Sequence, residues 1–122
     1  MKALSISWRA LPDAHDYPAA LAYLSLIYDA RSAAARVQKL KRASVSKFKA
    51  KDIARASGLS LLGISNAHVE RDRKKIRSGH ALSPLLLVRD PVNGRVIVAD
   101  GYHRMCAVYS YDEDAVVPCK IV

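Results

Sequence analysis

Apolar residues fall along this chain in blocks with different periods, and each period implies an element. Residues 19–28, Ala-Ala-Leu-Ala-Tyr-Leu-Ser-Leu-Ile-Tyr, would be apolar on nearly every side of a helix, so that helix must be buried or meet a partner chain. Asp16 and Pro18 before it suit a helix start, a carboxylate cap followed by proline in the first turn. Residues 33–40 are good helix formers, and residues 44–46 read as a break. Residues 49–57 then read as a short helix, with Gly58 at its C-terminal cap. A short strand is expected over residues 61–64. Ser65 or Asn66 next caps a helix over residues 67–77 that ends at Gly79, with Val69 and Ile76 on one face.

The last third has the sharpest pattern. Leu85-Leu86-Leu87-Val88 is a continuous apolar run, as in a strand covered on both faces. Val96-Ile97-Val98, within residues 95–99, is a second such run. Asn93-Gly94 between them is a tight-turn signal, which pairs the two as a hairpin. Asp100-Gly101 ends the second strand. Residues 102–110 follow as a helix, with Met105, Val108 and Tyr109 at helical spacing. An acidic loop at 112–114 leads to a last strand over 116–122, where Pro118 argues for an edge position or a bulge. The pattern thus predicts an α+β fold, a small mixed sheet drawn from residues 61–122 with helices packed on it. The chain reads as one domain with a helical, basic part (1–58) and a sheet-bearing part (59–122).

Charge sharpens this picture. Twenty Lys and Arg stand against eleven Asp and Glu, a formal net charge of +9 over 122 residues. Such a surface attracts nucleotides, nucleic acid or acidic membranes, without choosing among them. Between residues 31 and 55, nine Lys and Arg face the single acid Asp52. Lys47, Lys49, Lys51 and Arg55 are therefore candidate polyanion contacts, with a solvated helix face as the plainer reading. The most apolar stretch is about half of the ~20 residues a membrane span needs, and Asp13 and Asp16 precede it where a signal peptide carries positive charge. No membrane segment is expected. Cys106 and Cys119 are too few for a disulfide framework and sit in apolar surroundings, which suits a reducing cytoplasm. No metal site is expected from them. The 19–28 helix is the candidate contact for a homodimer.

Chemistry concentrates at residues 98–104, where the second strand meets a helix. Gly101 lets backbone approach a ligand. The first amides of the following helix have no helical partners and carry partial positive charge, a ready anion site. His103 and Arg104 lie in that first turn. Arginine can hold two phosphate oxygens at once, and histidine can act as acid or base near neutral pH. Asp100 has three readings: a helix cap, a magnesium ligand, or a group that orients an attacking hydroxyl. His68 and Asp72, four apart on the 67–77 helix, are candidate supporting residues, against the reading of a solvated face. Residues 51–69 also admit a helix-turn-helix, although Gly63 and the Ser65-Asn66 cap interrupt its second helix.

The segment Leu85-Leu86-Leu87-Val88-Arg89-Asp90, followed by Val96-Ile97-Val98-Ala99-Asp100-Gly101-Tyr102-His103-Arg104-Met105-Cys106-Ala107, resembles the ParB/sulfiredoxin superfamily. Arg73 to Val88, with Ile76, Gly79 and Pro84, resembles the helix-then-strand stretch before that motif in ParB proteins. The resemblance covers roughly residues 59 to 122 and leaves the first 58 unexplained. It implies a nucleotide, ATP or CTP with or without Mg2+, bound at Gly101, Tyr102, His103 and Arg104. Sulfiredoxin-like turns read Gly-Gly-Cys-His-Arg; here Tyr102 stands at the reactive cysteine, which argues against sulfinic acid repair. ParB turns read Gly-Glu-Arg-Arg, and only Arg104 matches the final Arg. A third branch, kinases of free serine, reads Asp-Gly-His-Thr-Arg, and Asp100, Gly101 and Arg104 match it best. Nucleotide hydrolysis or phosphoryl transfer through Asp100 and His103 follows as one expectation. ParB-type DNA binding or a nuclease-like role through residues 31–58 is the other. A fold kept only for protein interaction is the third.

Overall fold

The computed structural model describes residues 5–122. Its elements run α1 (Asp16–Leu24), α2 (Ala30–Arg42), β1 (Ser46–Lys49), α3 (Ala50–Ser57), α4 (Ala67–Arg77), β2 (Leu85–Asp90), β3 (Arg95–Asp100), α5 (Tyr102–Tyr111) and β4 (Val116–Ile121). The four strands form one mixed sheet in the order β1-β4-β2-β3. β2 pairs with β3 as the expected antiparallel hairpin, through a 3-10 turn at Pro91–Asn93 closed by Gly94. β4 runs parallel to β2 on its other side and antiparallel to β1.

The apolar runs explain the layering. Leu85, Leu87, Val96, Val98, Val117 and Cys119 point to one face and pack with residues of α3, α4 and α5. Leu86, Val88, Ile97 and Ala99 point to the other and pack with α1 and α2. The period of two along each strand sends successive side chains to opposite faces, so a strand apolar at every position needs a helix layer on each side. The N-terminal helices supply the second layer.

Lys120 carries the same alternation into an unusual place. It is only 5% exposed, and its Nζ donates to the carbonyl of Lys41 at 2.9 Å. That carbonyl lies in the last turn of α2, the negative end of the helix dipole, which favours a cation. A buried ammonium thus ties the inner strand β4 to the end of α2.

Several expectations are corrected. Residues 61–64 form no strand; 61–63 have no regular structure and 64–65 are a turn. The strand the pattern missed is β1, placed where a break and the start of a helix were expected, so the sheet draws on the N-terminal part as well. Its side chains alternate poorly because the strand lies at the sheet edge and is mostly exposed. The helix over 19–28 stops at Leu24, and only Ala20 and Leu24 of its apolar set are buried, while Leu21, Tyr23, Leu26 and Ile27 stay exposed. Asp16 is the first residue of α1, and its N-cap is His15. β4 is an inner strand, although Pro118 sits one residue before its parallel ladder with β2 begins at Cys119. No helix spans residues 61–66, which removes the helix-turn-helix. The helices over 67–77 and 102–110 stand where the sequence places them, with Asn66 capping α4 through Oδ1 to the amides of His68 and Val69. No helix among the described residues is long and apolar enough to cross a membrane.

Leu86 is fully buried between β2 and the α1–α2 layer, so Leu86→Ala is expected to cost about 2–5 kcal/mol of unfolding free energy. Val92, 92% exposed in the hairpin turn, is the control: Val92→Ala should stay within about 0.5 kcal/mol. Urea unfolding of the two variants measures both.

Candidate functional site

β3 delivers the chain to Gly101, the N-cap of α5, at φ 104°. A Cβ there would fall inside contact distance of Leu85 Cδ2 and lie 2.8 Å from Arg104 Nη2. Both the left-handed backbone and the close approach require glycine. The first bond into α5 is Met105 N–H to the Gly101 carbonyl at 3.0 Å. The amides of Tyr102, His103 and Arg104 precede it and have no helical acceptor. No side chain caps this end.

This turn borders a cleft of about 370 Å3. Asp100 to Arg104 form one wall. Arg71, Asp72 and Lys75 of α4 form a second, and residues 80–83 a third. The fourth comes from the N-terminal segment, through Arg9, Asp13, His15 and Asp16. That segment is held in place by a parallel bridge between Trp8 and Leu82, with Arg9 N–H on the Leu82 carbonyl and Leu82 N–H on the Ser7 carbonyl, each at 2.8 Å.

Arg104 locks the turn. Its Nη2 donates to Asp100 Oδ2 at 2.9 Å and to the Pro84 carbonyl at 3.3 Å. The same nitrogen lies 3.9 Å from Asp16 Oδ2. All these contacts use Nη2, while Nε is buried without a partner. Asp16 is buried and accepts the Ser83 hydroxyl and the Asp13 amide, the latter at 3.2 Å. Burial raises the Asp100 carboxyl above its usual range, and the neighbouring Arg104 only partly offsets this. Arg104 is thus a clamp on the turn.

His103 sits beside His68, with ring centroids 4.9 Å apart. Burial, and then the His68 ring, hold the His103 imidazole below its usual range, while Asp72 acts in the opposite direction. Arg71 Nη2 lies 3.1 Å from His68 Nδ1, so His68 offers a lone pair there. Tyr102 also borders the cleft, and burial followed by Cys106 raises its phenol. The sequence-predicted residues Asp72, Asp100, Gly101, Tyr102, His103 and Arg104 thus meet in one cleft, with His68 stacked behind His103.

The predicted polyanion residues lie elsewhere. Lys47 and Lys49 are on β1, Lys51 and Arg55 on α3, and none lines this cleft. Lys51 pairs with Asp114 at 2.7 Å, Lys49 with the same carboxylate at 3.7 Å, and Arg55 with Asp52 at 3.8 Å. Glu70, an acid of the same helix as Asp72, faces away to Arg77 and Arg73, and Arg77 in turn donates to the Tyr111 hydroxyl at 2.7 Å. That network fastens α4 to α5. Cys106 and Cys119 are buried and unpaired, and burial pushes the Cys119 thiol up to about 11.

Sequence reasoning missed the N-terminal wall. Arg9, Asp13 and His15 lie in a stretch without periodicity, and only the clustering Asp13-Ala14-His15-Asp16 offered a signal. The donor atoms of Asp13, His15 and Asp16 lie within 4.8 Å of one another. Arg9 already pairs with Asp13 Oδ1, and Asp16 Oδ2 is taken by Ser83 and the Asp13 amide. Two engaged carboxylates and an imidazole do not suit Mg2+, which demands an octahedron of oxygens.

Two outcomes follow from this geometry. Gly101→Ala should lose about 2 kcal/mol or more by chemical unfolding, since it strains the backbone and crowds Leu85. His103 should titrate below the usual imidazole range by NMR, with His68→Ala moving it up and Asp72→Asn moving it down. Because the fold disfavours the charged imidazole, its contribution to stability is full above the ordinary histidine range and is lost as pH falls from there through the lower folded-state value.

Comparison with family models, curated proteins and solved structures found no match, so the cleft is read from its own residues.

Proposed function

We propose that this cleft binds a nucleoside triphosphate, ATP or CTP, by its phosphates at the N-terminus of α5. The observation that carries the reading is the uncapped start of α5, whose Tyr102, His103 and Arg104 amides precede the first helical bond at the edge of the cleft. Oriented amides and the helix dipole favour an anion there. Arg71 adds a guanidinium that lies 3.1 Å from His68 Nδ1 and pairs with no carboxylate among the described residues. The ParB/sulfiredoxin resemblance of residues 85–107 supports the same choice of ligand. Mg2+ would enter with the phosphates, and Asp100 in the cleft wall would be a carboxylate available to it.

Turnover is the chemical extension of this reading. A histidine held neutral at physiological pH is competent to take a proton. With water as nucleophile, its oxygen attacks the terminal phosphorus, His103 accepts the proton, and the bond to the bridging oxygen breaks to release the diphosphate. An alcohol in place of water would make the reaction a transfer. The DNA-binding alternative ranks second, because Lys49, Lys51 and Arg55 are already paired with carboxylates. A reducing cytoplasm and a homodimer through the exposed Leu21, Tyr23, Leu26 and Ile27 remain part of the proposal.

Calorimetric titration with ATP, CTP and GTP, with and without Mg2+, is the direct test. Arg71→Ala should weaken binding about tenfold or more, as expected for losing a charge-assisted hydrogen bond, while Lys47→Ala should leave it unchanged. Absence of binding by all three nucleotides would sink the reading. Arg104→Ala is the poorer probe, since it strands the Asp100 and Asp16 carboxylates.

A further inference from the structure

The cleft is bordered by four aspartates, and three of them are spoken for. Asp13 pairs with Arg9. Asp16 accepts from Ser83 and the Asp13 amide. Asp100 accepts from Arg104. Asp72 differs. Its side chain is only 8% exposed, and the nearest cation, Lys75 Nζ, stands 3.9 Å away, beyond hydrogen-bond reach. Among the described residues its carboxylate accepts no hydrogen bond. Its oxygens are not among the side-chain atoms sealed from solvent without a partner, so water or a ligand in the cleft supplies the donors that the protein does not.

The cleft offers the place for that donor. Asp72 projects from α4, and the uncapped amides belong to α5, two helices fastened side by side through Arg73 with Ser110 and Arg77 with Tyr111. One ligand in a space of about 370 Å3 can touch both. An acidic acceptor beside an anion site selects a molecule that carries phosphate at one end and a hydrogen-bond donor at the other. Inorganic phosphates carry no donor set apart from their charged groups, and a ribonucleotide has such donors in its sugar hydroxyls.

We infer that Asp72 is a specificity-determining residue that accepts hydrogen bonds from the ribose hydroxyls of a nucleotide whose phosphates lie at the start of α5. The inference rests on the phosphate reading above and adds which part of the nucleotide is read and by what. A site built to receive a hydroxyl discriminates strongly against an analogue that lacks it, because the buried acceptor is then left bare.

The experiment titrates the full chain with three probes: ATP or CTP, the matching 2′,3′-dideoxy nucleotide, and tripolyphosphate. Wild type should bind the ribonucleotide about tenfold or more tightly than the dideoxy analogue. Asp72→Asn should bring those two affinities together and leave tripolyphosphate binding equal or tighter, since a negative charge is gone. Equal binding of the two nucleotides by wild type would overturn the inference without touching the phosphate reading, and it needs no variant to fold. Loss of tripolyphosphate and nucleotide together in Asp72→Asn, with an unchanged unfolding midpoint, would also overturn it, placing Asp72 in phosphate binding. If wild type binds neither tripolyphosphate nor nucleotide, the phosphate reading fails and takes this inference with it.

Discussion

A strand that is apolar at every position must be covered on both sides, and β2 and β3 impose this constraint on everything else in the molecule. Leu85 and Leu87 face one way, Leu86 and Val88 the other. With α3, α4 and α5 on the first face, the second would stand bare without α1 and α2. Burial at about 25 cal/mol per Å2 of apolar surface is the main force that brings them there. The residues that the family resemblance leaves unexplained therefore have a structural task before any functional one. The mixed topology follows from the hairpin: β3 brings the chain back to the end of the sheet where β2 starts, so β4, entered after α5, runs parallel to β2.

The cleft is a by-product of this double covering. Docking α1 against the sheet brings its first residue, Asp16, to Ser83 and Arg104. The loop before α1 then closes the space above the start of α5. Its wall carries charge from both signs, so what enters must satisfy acceptors as well as donors. A simple basic groove would attract any polyanion; this one sets four Arg and Lys against four Asp. The +9 charge of the whole chain resides largely on other surfaces.

Much of this was legible in the sequence where local physics decides. The hairpin needed only two apolar runs and Asn93-Gly94. The α4 cap was narrowed to Ser65 or Asn66, and the strand-to-helix turn was written in Gly101. What escaped was decided by distant contacts. β1 is four residues long and half of it is lysine, and pairing with β4 alone makes it a strand. Residues 61–64 looked like a strand because they are apolar, yet no free edge receives them, and Leu61 and Ile64 remain exposed. The early end of α1 at Leu24 also has no local stop signal. Arg9 and Asp13 could not be assigned to the cleft because their partners, Leu82 and Ser83, lie far along the chain. The role of Arg104 was half legible: its place in the turn was clear, its two acceptors and its approach to Asp16 were not.

The meeting of Asp16, Pro84 and Asp100 at one guanidinium nitrogen has a consequence for how the protein is made. Synthesis proceeds from the N-terminus, so Asp16 leaves the ribosome long before Arg104 exists. Until that residue emerges and α5 winds behind it, the first wall of the cleft has nothing to lean on. No nascent chain that stops short of α5 can close the cleft.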